Sequence, residues 1–180
     1  MKKLLIILLT LLTVFTTVNN PVFGQNKNQE IKIESKKVDY QLPYPGILPD
    51  NLLYPVKQFR DFFWIFFTRD NLKKADIYHL VADKKVNAVI MLADKGKWGQ
   101  AVETYTAAEN DFNAAVKYYT LAKQQGSSAS QETVLKLKLS NQKHKEIAET
   151  LLKNVPENNV NAVRSALKLN KKITSLLDKL

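Results

Sequence analysis

Three polar side chains interrupt otherwise apolar stripes: His79, Glu109 and His144. Each lies on a different segment with helical periodicity, so all three fall where a packed seam would run. Imidazole nitrogens and a carboxylate are ligands for a divalent transition metal, and helix bundles hold such ions between facing helices. Folding the segments antiparallel about turns near residues 96–97 and 127–128 sets His79 opposite about residue 114 and His144 opposite about residue 111. At 1.5 Å rise per residue, the three side chains then share one level to within ~6–8 Å. This predicts a metal site at His79, Glu109 and His144. A plainer reading competes with it: Glu109 pairs with Lys84 or Lys85, His144 lies at a partly wet seam edge, and one polar group per helix fixes register. Asn141, a further polar residue of the same seam, is a poor zinc ligand.

Other chemistry is scarce. The chain has no cysteine, hence no thiol nucleophile and no disulfide. It has no glycine-rich phosphate loop, no serine in a nucleophile-elbow context and no His-Glu-x-x-His pattern. Five glycines in 180 residues leave little backbone freedom for a loop-built active site. These absences predict a non-catalytic protein and imply no cofactor.

The elements that must position the three residues follow from periodicity and punctuation. Asp70 reads as the N-cap of a helix from Asn71 to about Lys95, closed by Gly96. Its seam is Leu72, Ala75, His79, Ala82, Val86, Val89 and Ala93. A second long helix, from about Trp98 to Gln125, carries the stripe Trp98, Val102, Tyr105, Glu109, Phe112, Val116 and Tyr119. Ala101, Ala108, Ala115 and Ala122 recur beside it at heptad spacing, which lets two helices approach closely. The two predict a long antiparallel hairpin. Ser128 and Gln131 have capping-box spacing for a further helix with Val134, Leu137, Asn141, His144, Ala148, Leu151 and Val155 on its seam. Past Pro156, a last helix from about Asn158 follows Ala162, Ala166, Leu169, Ile173, Leu176 and Leu180.

The stretch "LPYPGILPDNLLYP", Leu42 to Pro55, holds four of the six prolines and stands directly before "FRDFFWIFF". Pro43, Pro45 and Pro49 forbid a helix there and favour a polyproline-like strap with a turn at Pro45-Gly46. Pro55 suits the first turn of a helix from about Tyr54 to Thr68. Val56, Phe59, Phe63, Phe66 and Phe67 form one stripe of that helix, and Phe62 and Ile65 widen it. Burial of each such aromatic is worth ~1.5–3 kcal/mol, so the strap is expected to cover the helix and conceal it. The rival is a membrane- or partner-facing helix, which needs Phe62, Trp64 and Phe67 to point outward. The predicted fold class is all-α: an antiparallel bundle of about five helices preceded by an extended proline-rich strap.

Lys2, Lys3 and the uncharged run Leu4 to Val18 read as an export signal, with Val22 and Gly24 as the small residues of a cleavage site after residue 24. An uncleaved N-terminal anchor is the alternative, although a full span needs ~20 apolar residues. Absence of cysteine from an exported chain points to a bacterial or archaeal envelope. The net charge is +10, and without Lys2 and Lys3 it is +8, from 25 basic and 17 acidic residues. Only Arg60, Arg69 and Arg164 are arginines, so the excess suits weak attraction to anionic polymers or a lipid surface and no specific nucleic acid.

Leu48 to Lys57 reads "LPDNLLYPVK", Thr68 to Asp70 reads "TRD", and the long helix that follows contains "KKA". With these features the segment from about Tyr40 to Gln125 resembles the exported bacterial and archaeal domain-of-unknown-function family 5667. The resemblance implies an extracytoplasmic helical domain without an assigned activity, and it supplies no functional residues. The expected organisation is a signal peptide at 1–24, a polar and proline-rich lead at 25–50, a family-like helical domain at 51–125 and a C-terminal hairpin at 126–180 packed on it. The functional expectation is a non-catalytic envelope interaction or scaffold module binding an unidentified macromolecule. A small metal- or ligand-binding bundle is the alternative.

Overall fold

The computed structural model describes residues 37–180. The expected signal peptide and the first part of the polar lead lie outside the described residues. The helices are α1 Tyr54–Phe67, α2 Asn71–Asp94, α3 Trp98–Gln124, α4 Gln131–Asn154 and α5 Glu157–Leu177, and no strand occurs among the described residues. The protein is an all-α bundle.

Local chemistry sets the boundaries. Asp70 accepts a hydrogen bond from the Lys73 amide at 2.7 Å and caps α2. Gly96, at φ +70°, ends it in a Schellman turn: the Lys97 amide donates to the Leu92 carbonyl at 2.9 Å and the Gly96 amide to Ala93 at 2.8 Å. The α4 cap is Ser130, whose hydroxyl accepts from the Thr133 amide, and not Ser128. Ser130 is the residue immediately before the first helical position, where a side-chain oxygen reaches the third amide.

α2 and α3 form the expected hairpin, α4 and α5 form a second, and contacts of α3 with α5 and α2 with α4 close a four-helix ring. Two apolar cores fill it. One contains Val86, Val89, Leu92, Val102, Tyr105, Ile147, Leu151 and Val163. The other contains Phe112, Val116, Tyr119, Leu137, Ile173 and Leu177. The seams of α2, α3 and α4 point inward as expected. That of α5 is shifted: Val163, Ala166, Asn170, Ile173 and Leu177 are buried, whereas Ala162 is exposed.

The strap is docked, with Pro45 and Leu48 buried and Leu42 packed on the first core. Asn87 donates to the Pro43 carbonyl at 3.0 Å. The strap does not cover α1, contrary to expectation: α1 has no buried residue, and Phe59, Phe62, Phe63, Phe66 and Phe67 are exposed. The reason lies in the polar side of α1. Lys57 donates through Nζ to the Pro45 and Ile47 carbonyls, at 2.7 and 3.1 Å, so strap and helix meet at a lysine rather than at the aromatic stripe.

Candidate functional site

Between the two cores runs a polar layer to which every helix of the ring contributes. α2 supplies His79 and Asp83, α3 Glu109, α4 Ser140, Asn141 and His144, and α5 Asn170, all buried. His144 is its centre. Its Nδ1–H donates to Glu109 Oε1 at 2.9 Å and its Nε2–H to Asp83 Oδ1 at 3.0 Å. Ser140 donates to Asp83 at 2.6 Å, and the Tyr40 hydroxyl of the strap donates to the other oxygen of the same carboxyl. Asn170 donates to Glu109 Oε2 at 3.2 Å and to Asn141 Oδ1 at 2.9 Å.

The electrostatics follow from these contacts. Burial works against charge on His144, but its hydrogen bonds with Asp83 and Glu109 outweigh that and raise its pKa to about 9. Burial likewise opposes charge on Asp83, yet the hydrogen bond from His144, the field of His79 and the Ser140 hydroxyl hold its carboxyl below the usual range. His79 behaves in the opposite way. Burial dominates and lowers its pKa to about 4. Its Nε2 lies 3.3 Å from Asp83 Oδ2 without the alignment of a hydrogen bond, and the ring stacks on Phe112.

His79, Glu109 and His144 thus do converge, but around Asp83 and as an ion-pair network. Both ring nitrogens of His144 lie at hydrogen-bond distance from carboxyl oxygens, 2.9 and 3.0 Å, so neither is turned to an open coordination position. Among the described residues no group of three or more His, Cys, Asp or Glu is placed to hold a metal ion. The plainer reading also needs correcting: Glu109 bonds His144 and Asn170, Lys85 pairs with Asp111 at 2.6 Å, and His144 is fully buried. Sequence reasoning missed Asp83, Ser140, Asn170 and Tyr40. The signal for Asp83 was its position four residues after His79, on the same face of α2. Ser140 donates to the Asp83 carboxyl rather than to an imidazole, so no nucleophile–base pair exists in the layer.

The second unusual feature is α1. Helical period puts Tyr54, Lys57, Asp61 and Ile65 on one side, and these are its half-buried residues. Val56, Phe59, Phe63, Phe66 and Phe67 lie on the other side with Phe62 beside them, at 50–70% exposure. Trp64 borders that face at 50%. Under α1 a cleft of about 260 Å³ is lined by Tyr54, Lys57, Asp61, Ile65, Tyr78 and Asp111, and Phe62 also contributes to its lining. The helix therefore rests on the bundle through its mixed side and presents its aromatic side outward. Phe62, Trp64 and Phe67 are all exposed.

These features define a class: a four-helix bundle with a buried polar midlayer and a short aromatic helix laid on its outside. Within that class the chain belongs to the family described as "Domain of unknown function (DUF5667)", whose sequence model matches residues 46–158. The match begins in the strap, passes through α1 to α4 and stops at the start of α5. No curated protein and no solved structure matches the chain.

Proposed function

We propose that the protein is an exported, non-catalytic interaction module of the cell envelope, and that α1 is its contact element. The observation that carries this reading is the outward aromatic face of α1. Six phenylalanine and valine side chains left half or more exposed each forgo half or more of the ~1.5–3 kcal/mol that full burial contributes. A contiguous apolar surface of this kind is the usual mark of an interaction site. The polar layer supports the same division of labour. It is closed, paired within itself except at His79 Nε2 and Asn170 Oδ1, and shared by four helices, which favours a role in holding the bundle together. The envelope address rests on Lys2, Lys3, the run Leu4 to Val18 and the small residues Val22 and Gly24.

A photo-reactive amino acid placed at Phe63 in the full chain, in a bacterial host that exports it, tests the reading. Irradiation is expected to give adducts in the envelope fraction, whereas the same probe at exposed Asn158, at the start of α5, gives none. Equal labelling from both positions, or none from Phe63, overturns it.

A further inference from the structure

Resting on that reading of α1 as the contact element, we infer that its occupant is the surface of an anionic lipid bilayer. α1 lies in the headgroup boundary with its aromatic side down and the bundle above.

Four observations favour lipid over a protein groove. First, the face is broad: Phe59, Phe62, Phe63, Phe66 and Phe67 cover much more than the narrow seam a helix offers to one partner helix. Second, its borders have interfacial chemistry. Trp64 and Arg60 are four residues apart on one edge, and Arg69 follows the C-terminal end, all three exposed. Third, the length is right for lying on a membrane and wrong for crossing one. Fourteen residues at 1.5 Å each give ~21 Å against a ~30 Å hydrocarbon core, and no helix among the described residues is long and apolar enough to span. Fourth, the charge is complementary. Without Lys2 and Lys3 of the export signal the chain carries a formal +8 with 25 basic side chains, nearly all lysine, which suits diffuse attraction to an anionic leaflet rather than pairing with one shaped partner.

Trp64 is a built-in reporter, because the only other tryptophan is Trp98 at the start of α3. The experiment uses the full chain carrying Trp98→Phe, mixed with vesicles of phosphatidylcholine with and without phosphatidylglycerol and containing brominated lipid. Trp64 fluorescence should be quenched, most strongly by bromines placed high on the acyl chain and more on the anionic vesicles. Replacing Phe59, Phe63, Phe66 and Phe67 by serine should reduce that quenching about tenfold or more. The readout is local to α1 and does not depend on whether Leu4 to Val18 also inserts. Should Trp98→Phe not fold, the quenching lost from the parent chain on Trp64→Phe gives the same information.

Unquenched Trp64 on vesicles that bind the chain overturns the inference, as does quenching that survives the serine variant. A concentration-dependent dimer through α1 that vesicles do not dissociate assigns the face to a second copy and also overturns it. A protein adduct from the Phe63 probe together with an unquenched Trp64 would end the lipid inference while leaving the interaction-module reading intact.

Discussion

His144 has an unusual position for a cation: fully buried, with a carboxyl oxygen at each ring nitrogen. Breaking such a pair by removing one member leaves uncompensated polar groups in a dry interior, a loss of about 3–5 kcal/mol. His144→Leu is expected to lose that much in urea unfolding. His79→Leu, at the same depth but without a hydrogen bond at Nε2, should lose about 1 kcal/mol or less. Equal losses would show that the layer does not centre on His144. The two histidines also predict a pH profile. From an ordinary value of 6.5, His144 rises to about 9, so its contribution, on the order of 3 kcal/mol, is complete below pH 6.5 and disappears as pH climbs through 9. His79 falls to about 4, so the unfolded chain takes up a proton that the native state refuses, and stability declines as pH drops from 6.5 towards 4. Asp83, held below its ordinary range, adds to the acid side as pH falls through its lowered value. Urea midpoints measured across pH should therefore peak near 6.5, and His144→Leu should flatten the alkaline limb most, with a smaller change on the acid limb, where Asp83 loses the hydrogen bond that lowers it. Glu109 and His144 were legible in the sequence because each occupies a stripe position, where a polar group has to find a partner. Asp83 and Asn170 were not, because a carboxylate beside a seam residue reads as surface and one polar residue in α5 shifts which neighbours count as its stripe.

The elements were legible to within a residue or two, since Asp70, Pro55, Gly96 and Pro156 act through the local backbone alone. Gly96 offers a clean test of that local control. A methyl added at this position meets nothing within 4 Å, so Gly96→Ala carries only the cost of φ +70° in an L-residue. A loss of about 1 kcal/mol in thermal or urea unfolding is expected, while Gly99→Ala, inside α3 and equally uncrowded, should stabilise or leave stability unchanged. The strap depends on tertiary contacts instead. Asn87 donates to Pro43, Tyr40 to Asp83, and Lys95 and Lys97 both hold Asp50, whose carboxyl they lower to about 2. Asn87→Ala should cost about 1 kcal/mol and raise proteolysis within residues 40–50 before the bundle itself unfolds. Cleavage only after global unfolding would mean that the strap has no separate docking equilibrium. Prolines announced an extended, stiff segment. Which surface it would lie on was set by Asn87, Asp83 and Lys57, residues distant in sequence and unremarkable in type.

At the scale of the whole molecule, the orientation of α1 decides how the protein meets its surroundings. Periodicity states which residues share a face, but it is silent on whether that face points towards the bundle or away from it. Here Lys57 and Asp61 face inward over the cleft, and the aromatic stripe that reads as core is surface. The two orientations predict opposite mutational results. A buried Phe cut back to a small side chain costs about 3–5 kcal/mol, and three together would unfold a domain of this size. Exposed, the same residues contribute little to folding. Phe59→Ser, Phe63→Ser and Phe66→Ser combined should leave the unfolding free energy, measured in urea, within about 0.5 kcal/mol of the parent per site. The triple variant should also lose most of the binding of an apolar dye such as anilinonaphthalene sulfonate and become more soluble. A collapse in stability on making that variant would show the face to be covered in solution, whereas unchanged stability with lost dye binding would leave α1 as a surface kept for contact and the polar-layered bundle as its rigid support.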